Sequence, residues 1–216
     1  MHKYVIMGVQ GSGKGTQAKM LAHDFDIVHI SVGDIFRWHI QTRTKLGAKI
    51  KRLVDSGQLV PDEIVEEVVR RRLEEHDWTV GFILDGFPRN EAQAQFLLDQ
   101  HPIDAVIHIN IADQLVVKRM LARRLCSGCG RDYNLEYGPP TEDEICDDCG
   151  GKLVTRADDN EAAIGERIAD YHKMTEPVVE LFRGHTKVVD VEGAQPPEKV
   201  QAEIRRKLGL EKSSTR

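Results

Sequence analysis

The segment Gly8-Val9-Gln10-Gly11-Ser12-Gly13-Lys14-Gly15-Thr16 follows a short apolar run and precedes a helix-forming stretch. Its glycines allow tight turns that aim backbone N–H groups inward, the helix N-terminus adds positive potential, and Lys14 has the reach for a terminal phosphate. The chemistry expected here is the binding of a nucleotide polyphosphate. A lone glycine-rich turn would not carry that reading, but G-x-x-x-x-G-K between strand and helix does. The general pattern places Ser or Thr directly after the lysine; in this chain Gly15 intervenes and Thr16 follows.

A second group of chemistry-bearing residues is Phe82-Ile83-Leu84-Asp85-Gly86-Phe87-Pro88-Arg89, an apolar run that ends in a carboxylate and a guanidinium. Ligands of open α/β sheets bind at the carboxyl ends of the strands. Asp85 is therefore placed to hold the water shell of Mg²⁺ near phosphates, and Arg89 to grip an anion. Phosphoryl transfer asks a protein for positioning and cations more than for a nucleophile.

A third group is Cys126-x-x-Cys129 and Cys146-x-x-Cys149, two knuckles with sixteen residues between them. Such spacing lets both thiolates of each knuckle reach one ion and two knuckles complete a tetrahedron, so a structural zinc or similar divalent ion is expected. Two disulfides and an Fe–S centre are the rivals, and a cytosolic chain argues against the disulfides. The region holds few large apolar residues, chiefly Leu125, Tyr133, Leu135, Ile145 and Leu153, so the metal is expected to supply its folding energy.

Positioning these groups requires a scaffold. Unalternated Val- and Ile-rich runs at 3–7, 27–30, 80–84, 105–110 and 186–191 read as strands buried on both faces of a parallel sheet. Amphipathic stretches at 61–76, 113–125 and 160–183 read as helices. The second starts Arg119 and Arg123 on one helical face, four residues apart. Pro61 with Asp62 and Glu63 suits a helix start, Asp158 and Asp159 are read as caps of the long helix, and Pro177 as its kink. The alternation predicts a three-layer α/β fold. Residues 31–60 and the cysteine region break the rhythm as insertions, and the tail Lys212–Arg216 reads as frayed.

The Gly-Lys-Gly-Thr ending of the glycine loop and the string Asp-Gly-Phe-Pro-Arg at 85–89 resemble the nucleoside-monophosphate kinases, the adenylate kinases above all. The resemblance runs on through Ile30-Ser31-Val32-Gly33-Asp34 and Arg37, Gly57–Val60, Thr155-Arg156 with Asp158-Asp159, Tyr171-His172 and Val191-Glu192-Gly193. It implies a P-loop fold with a parallel five-stranded sheet. It implies a core of 1–30, 61–123 and 160–216, a mobile AMP-binding insertion at 31–60, and a zinc-bearing lid at 124–159 that closes over ATP.

It further implies ATP contacts from Gly11, Ser12, Gly13, Lys14, Gly15, Thr16, Arg119, Arg123, Asp132, Tyr133 and Gln195. AMP contacts are implied at Val32, Arg37, Gln58, Leu59, Val60, Gly86, Phe87, Pro88, Arg89, Gln93, Arg156 and Arg167. Arg119 would stack on the ATP adenine, Gln93 would read the AMP base edge, and Lys14, Asp85, Arg89, Arg123, Arg156 and Arg167 would act on the phosphates. Three positions depart from the family pattern. Gln10 stands for the usual proline, Val32 for a threonine near the acceptor base, and Asn90 for a threonine after Arg89. Phe-Pro-Arg-Asn is a string of the UMP/CMP kinases, which typically have a short lid.

The bulk numbers fit this reading. The 216 residues are 40 % hydrophobic and 30 % charged, an ordinary globular composition, and the net charge of −5 points to neither nucleic acid nor a membrane surface. No apolar stretch approaches the ~20 residues of a membrane helix. The N-terminal run is too short for a secretory signal, so a cytoplasmic monomer is expected. A nucleotide-switched zinc-ribbon nucleic-acid binder is the alternative from another class. The lid carboxylates Glu136, Glu142, Asp143, Glu144, Asp147 and Asp148 weigh against it, because a phosphate-backbone surface should be basic.

Overall fold

The computed structural model describes residues 2–75, 80–156 and 158–210. In chain order its strands and helices begin β1 (His2–Met7), α1 (Lys14–Phe25), β2 (Val28–Ser31), α2 (Val32–Gln41), α3 (Lys45–Ser56), α4 (Asp62–Glu74), β3 (Gly81–Asp85), α5 (Glu91–Gln100), β4 (Ala105–Asn110) and α6 (Asp113–Leu121). The chain then forms β5 (Arg123–Cys126), β6 (Asp132–Asn134) and β7 (Leu153–Val154), and returns through α7 (Glu161–Asp170), α8 (Glu176–Arg183), β8 (Lys187–Glu192) and α9 (Pro197–Leu208).

Five strands form one parallel sheet in the order β2-β3-β1-β4-β8. Successive side chains of a strand point to opposite faces. Accordingly Val5 and Met7 join Phe82, Leu84, Val106, Leu97 and Phe182 on one side, against α4, α5 and α8. Tyr4 and Ile6 join Ile83, Ile107, Val189, Leu21 and Ile204 on the other, against α1 and α9. Both faces are covered, so the strands need no polar alternation, and three layers result. Because β1 lies between β3 and β4, the crevice beyond its carboxyl end is flanked by the loops that leave both neighbours.

Helices α2 and α3 lie between β2 and α4, and their buried Phe36 and Ile50 merge into the first core. Strands β5–β7 form a separate antiparallel sheet, order β6-β5-β7, over a small cluster of Cys126, Tyr133, Cys146 and Leu153. Among the described residues no helix is long and apolar enough to cross a membrane.

Three local expectations are corrected. The helix read at 113–125 ends at Leu121, and Arg123 opens β5, so Arg119 and Arg123 do not share a helical face. Pairing of β5 with 132–134 and 153–154 decides this, a non-local effect that outweighs helix propensity. Asp158 and Asp159 do not cap α7; Asn160 does, its side chain accepting from Ala163 N–H at 3.0 Å. The irregularity read at Pro177 is a π turn just before it, Tyr171–Thr175, with the Glu176 N–H bonded to the Tyr171 carbonyl. Proline removes the N–H that would continue α-helical bonding, and the wider turn takes up the slack. The helix start read at Pro61 holds, with Pro61 as the cap residue and Asp62 and Glu63 in the first turn of α4. The end of the 61–76 stretch, at His76, and the 212–216 tail lie outside the described residues.

Candidate functional site

The glycine loop leaves β1 at Met7 and enters α1 at Lys14, with Gly13 at φ 98° as the helix cap. Gly15 answers the departure from the usual lysine-hydroxyl pair. A Cβ at this position would lie 3.3 Å from Asp85 Oδ2, so the missing side chain lets the first turn of α1 close on the Asp85 carboxylate. Lys14 Nζ lies 3.4 Å from the Val9 carbonyl. Burial pulls the Lys14 ammonium down to about 8, with Arg89, Arg123 and Arg167 adding to the fall and Asp85 opposing it.

Asp85 ends β3, and its Oδ2 lies 3.4 Å from His29 Nε2 on β2. Burial alone would raise this carboxyl, but His29 and Lys14 outweigh it and hold it below the ordinary range. Asp34 behaves alike: burial opposes ionisation, yet Arg37, 2.5 Å away, carries it down to about 2. Position 29 gave no signal in the sequence, being one of several residues in a buried strand.

The arginines converge from separate elements. Arg89 follows β3, Arg119 lies in the last turn of α6, Arg123 opens β5, Arg156 follows β7 and Arg167 sits on α7. Arg123 donates through Nε to Asp159 Oδ2 at 2.7 Å, and Arg167 NH2 lies 2.7 Å from Asp158 Oδ2. Arg156 NH2 donates to Asp132 Oδ1 at 2.5 Å, and Lys19 holds the other oxygen of that carboxylate at 3.3 Å. Burial lowers Arg89 and Arg156 to about 10 each, and neighbouring guanidiniums press the same way: Arg167 and Arg37 on Arg89, Arg123 and Arg37 on Arg156. Cations that crowd one another at the cost of their own proton affinity define a site for polyanions.

Lys14, His29, Asp34, Asp85, Asp132 and the arginines line one cavity of about 920 Å³. Its walls include Gly11, Ser12, Gly13, Lys14, Gly15, Thr16, Arg119, Arg123, Asp132, Tyr133 and Gln195 on one side of the sequence-read set. They also include Val32, Arg37, Gln58, Leu59, Val60, Asp85, Gly86, Phe87, Pro88, Arg89, Gln93, Arg156 and Arg167. Such a volume is at the upper end of the ~300–1,000 Å³ of small-ligand sites. Arg119 lies over the Tyr137 ring, 5.2 Å from its centroid. The Tyr133 hydroxyl is turned away to the cysteines, donating to Cys146 Sγ at 3.4 Å. The Gln93 amide is engaged at both ends, accepting from Arg89 N–H at 2.8 Å and donating to Asp62 Oδ1 at 2.7 Å. Asp62 and Thr175, whose hydroxyl donates to the Arg89 carbonyl at 2.7 Å, were not singled out as site residues.

The four cysteine sulfurs lie within 4.8 Å of one another. Cys126–Cys149 and Cys129–Cys146 separations of 3.4 and 3.6 Å are too long for disulfides, and all four thiols are free. Tetrahedral zinc with Zn–S near 2.3 Å sets sulfurs about 3.8 Å apart, so the cluster fits such an ion. A Cβ on Gly151 would lie 2.9 Å from Cys126 Sγ, which explains glycine beside the knuckle. The Tyr133 hydroxyl draws the Cys146 thiol down to about 6, while contacts among the sulfurs hold Cys129 and Cys149 above the ordinary thiol range.

Strand, glycine loop and helix at the switch point of a parallel sheet, with a carboxylate and convergent guanidiniums, define a P-loop nucleotide-binding protein. The family model for adenylate kinases matches residues 6–187. An adenylate kinase of Petrotoga mobilis is 46 % identical over 207 residues, covering 94 % of this chain and 95 % of that one. Those of Caldicellulosiruptor saccharolyticus and Lachnospira eligens are 42 % and 41 % identical over 215 and 212 residues, covering 97 % and 96 % of this chain and 100 % of each relative. The chain belongs to the adenylate kinase family, and as such is a nucleoside-monophosphate kinase, a phosphotransferase.

Proposed function

We propose that the chain transfers the γ-phosphoryl of ATP to AMP, giving two ADP, within this one cavity. The observation that carries the reading is the convergence of Lys14, Arg89, Arg123, Arg156 and Arg167 on a space with two walls, the glycine loop and the 31–60 segment. In the reaction an AMP phosphate oxygen forms the new bond to the γ-phosphorus while the bond to the β–γ bridging oxygen breaks. Charge spreads over the transferred oxygens, and preorganised cations stabilise it without reorganisation.

On the donor side, the backbone of Gly11–Thr16 with Lys14 cradles the phosphates, Arg119 stacks on the base, and Asp132, Tyr133 and Gln195 bound the nucleotide. On the acceptor side, Arg37 and Arg89 grip the AMP phosphate, Gln93 reads the base edge, and Val32, Gln58, Leu59, Val60 and Gly86–Pro88 shape the pocket. Arg123, Arg156 and Arg167 serve the phosphates between the two nucleotides. Thr16 and Asp85 offer hard oxygen donors on the cavity wall, a set that fits Mg²⁺ carried with ATP, which supplies charge neutralisation at the β- and γ-oxygens. The cysteine cluster suits a structural Zn²⁺, with no open position for chemistry.

Residues 124–159 act as a lid, whose closure keeps water from the γ-phosphoryl group. The core is assigned to 1–30, 61–123 and 160–216, and the AMP-binding part to 31–60. Because one chain supplies every group, the enzyme works as a monomer in the cytoplasm, where its thiols stay reduced, without nucleic-acid or membrane partners. The test is ADP formation from Mg²⁺-ATP with AMP, UMP, CMP or GMP offered separately. Turnover confined to AMP supports the reading. Preference for UMP or CMP would move the substrate assignment while keeping the mechanism, and transfer to none would refute it.

A further inference from the structure

Gln93 is 2 % exposed, and both ends of its amide are held. Its Oε1 accepts from the Arg89 backbone N–H at 2.8 Å, and its Nε2 donates to Asp62 Oδ1 at 2.7 Å. The Asp62 carboxylate is itself gripped by Asn90 Nδ2, 2.9 Å from each oxygen. Asn90 also caps α5, its Oδ1 accepting from Gln93 N–H at 2.9 Å. The starts of α4 and α5 are thus joined through two side-chain amides, those of Gln93 and Asn90, on the one Asp62 carboxylate.

The chemistry of these partners dictates the amide's polarity. A backbone N–H only donates, and a carboxylate oxygen accepts. Turning the amide over would set N–H against NH₂ and oxygen against carboxylate, leaving buried donors and acceptors unsatisfied. Held as it is, the amide keeps one lone pair on Oε1 and one hydrogen on Nε2 for a ligand in the cavity that it lines. Adenine meets such a pair with an exocyclic amine beside a ring-nitrogen acceptor. Hypoxanthine, guanine and uracil present a carbonyl beside a ring N–H, the reverse order, which needs the turned amide.

We infer that Asp62, held by Asn90, is a positioning residue that fixes the Gln93 amide and so makes the acceptor site select amino bases over keto bases. The inference rests on Gln93 as the base reader proposed above. It also gives Asn90 a role of its own: a threonine there could cap α5 but has no pair of amide hydrogens to share between the carboxylate oxygens.

The test compares AMP with IMP, which has nearly the same shape but the reversed edge, by kcat/KM in the holoenzyme. Wild type should favour AMP by on the order of 10³-fold or more, as a site built around paired polar groups does. Asp62→Asn, whose amide can face Gln93 in either sense, should cut that ratio at least tenfold, through a higher KM for AMP and a gain with IMP, while the KM for ATP stays put. Asn90→Ser, which keeps a cap, should shift the ratio the same way and less. An unchanged ratio in both folded variants overturns the inference. Gln93→Leu separates the two layers: if it leaves the KM for AMP unmoved, the base-reader assignment itself falls, whatever Asp62 does.

Discussion

Arg123 and Asp159 stand 36 residues apart in sequence and meet at 2.7 Å, Nε to Oδ2, where the chain enters and leaves the small antiparallel sheet. The Asp159 side chain is fully buried and that of Arg123 nearly so. Asp158 makes the parallel connection to Arg167 of α7. The two ends of the segment that carries β5–β7 are therefore tied together and to α7 by charges, so that the guanidiniums are aimed before any ligand arrives.

Asp159→Asn keeps the shape and removes the charge, leaving Arg123 desolvated beside a neutral amide. Breaking one side of a buried pair typically costs about 3–5 kcal/mol. Urea unfolding should show a lower midpoint with an unchanged slope, and a stability loss of about 3 kcal/mol. A loss below about 1 kcal/mol would mean that Asp132 and Asp158, which also face Arg123, already hold it.

Lys14 gives ATP binding a pH dependence whose sign follows from its lowered value of about 8, set first by burial. Phosphate favours the ammonium, so binding raises that value again. Below pH 8 the free enzyme is already protonated and affinity is level. Above pH 8 a proton must be taken up on binding, so the ATP Kd should rise up to tenfold per pH unit. Titration calorimetry from pH 6.5 to 9.5 in buffers of different ionisation enthalpy reads both the Kd and the proton. A flat Kd through pH 9 sinks the argument, and Lys14→Met should flatten the wild-type slope.

The parallel strands and the glycine loop could be read directly because each rests on local pattern: runs of Val and Ile buried on both faces, and turns that only glycine permits. Arg123 misled because Arg123–Cys126 suits a helix locally, and only the partners at 132–134 and 153–154 make it a strand. Asp158 and Asp159 misled for the same reason. A carboxylate before a helix satisfies the capping rule, and nothing nearby announces guanidiniums 36 and 9 residues away. Asp62 was read for its place at the positive end of α4, which is correct as far as it goes; its bonds to Asn90 and Gln93 depend on how α4 packs on α5. His29 carried no pattern that separates it from its strand neighbours.

Removal of the metal is expected to unfold the lid while sparing the sheet. The lid's own core is Cys126, Tyr133, Cys146 and Leu153, too little apolar surface to hold three short strands. Metal analysis should find one ion per chain, and chelation should lower the Tm by roughly 10 °C, at 2–4 °C per kcal/mol for a chain of this size. Cys129→Ser should reproduce most of that fall and the accompanying loss of activity. Full activity and an unshifted Tm after verified metal loss would remove the ion from the folding of the lid.

Thr175 closes the π turn and reaches Arg89, its hydroxyl donating to the Arg89 carbonyl at 2.7 Å, while Gln93 accepts from the Arg89 N–H. The guanidinium is held separately, its Nε donating to the Gly86 carbonyl at 2.9 Å. Arg89 is thus fixed at backbone and side chain, and the π turn is what brings Thr175 over it, since an α-helical turn would rotate position 175 elsewhere. Thr175→Val preserves volume and removes the donor, leaving a carbonyl unsatisfied at about 1–3 kcal/mol. If that cost appears as misplacement of Arg89, kcat/KM for AMP should fall on the order of tenfold with the ATP KM unchanged. Thr175→Ser, which keeps the hydroxyl, should restore most of it. A uniform loss of stability with kcat/KM intact would instead assign the hydroxyl to packing of the turn alone.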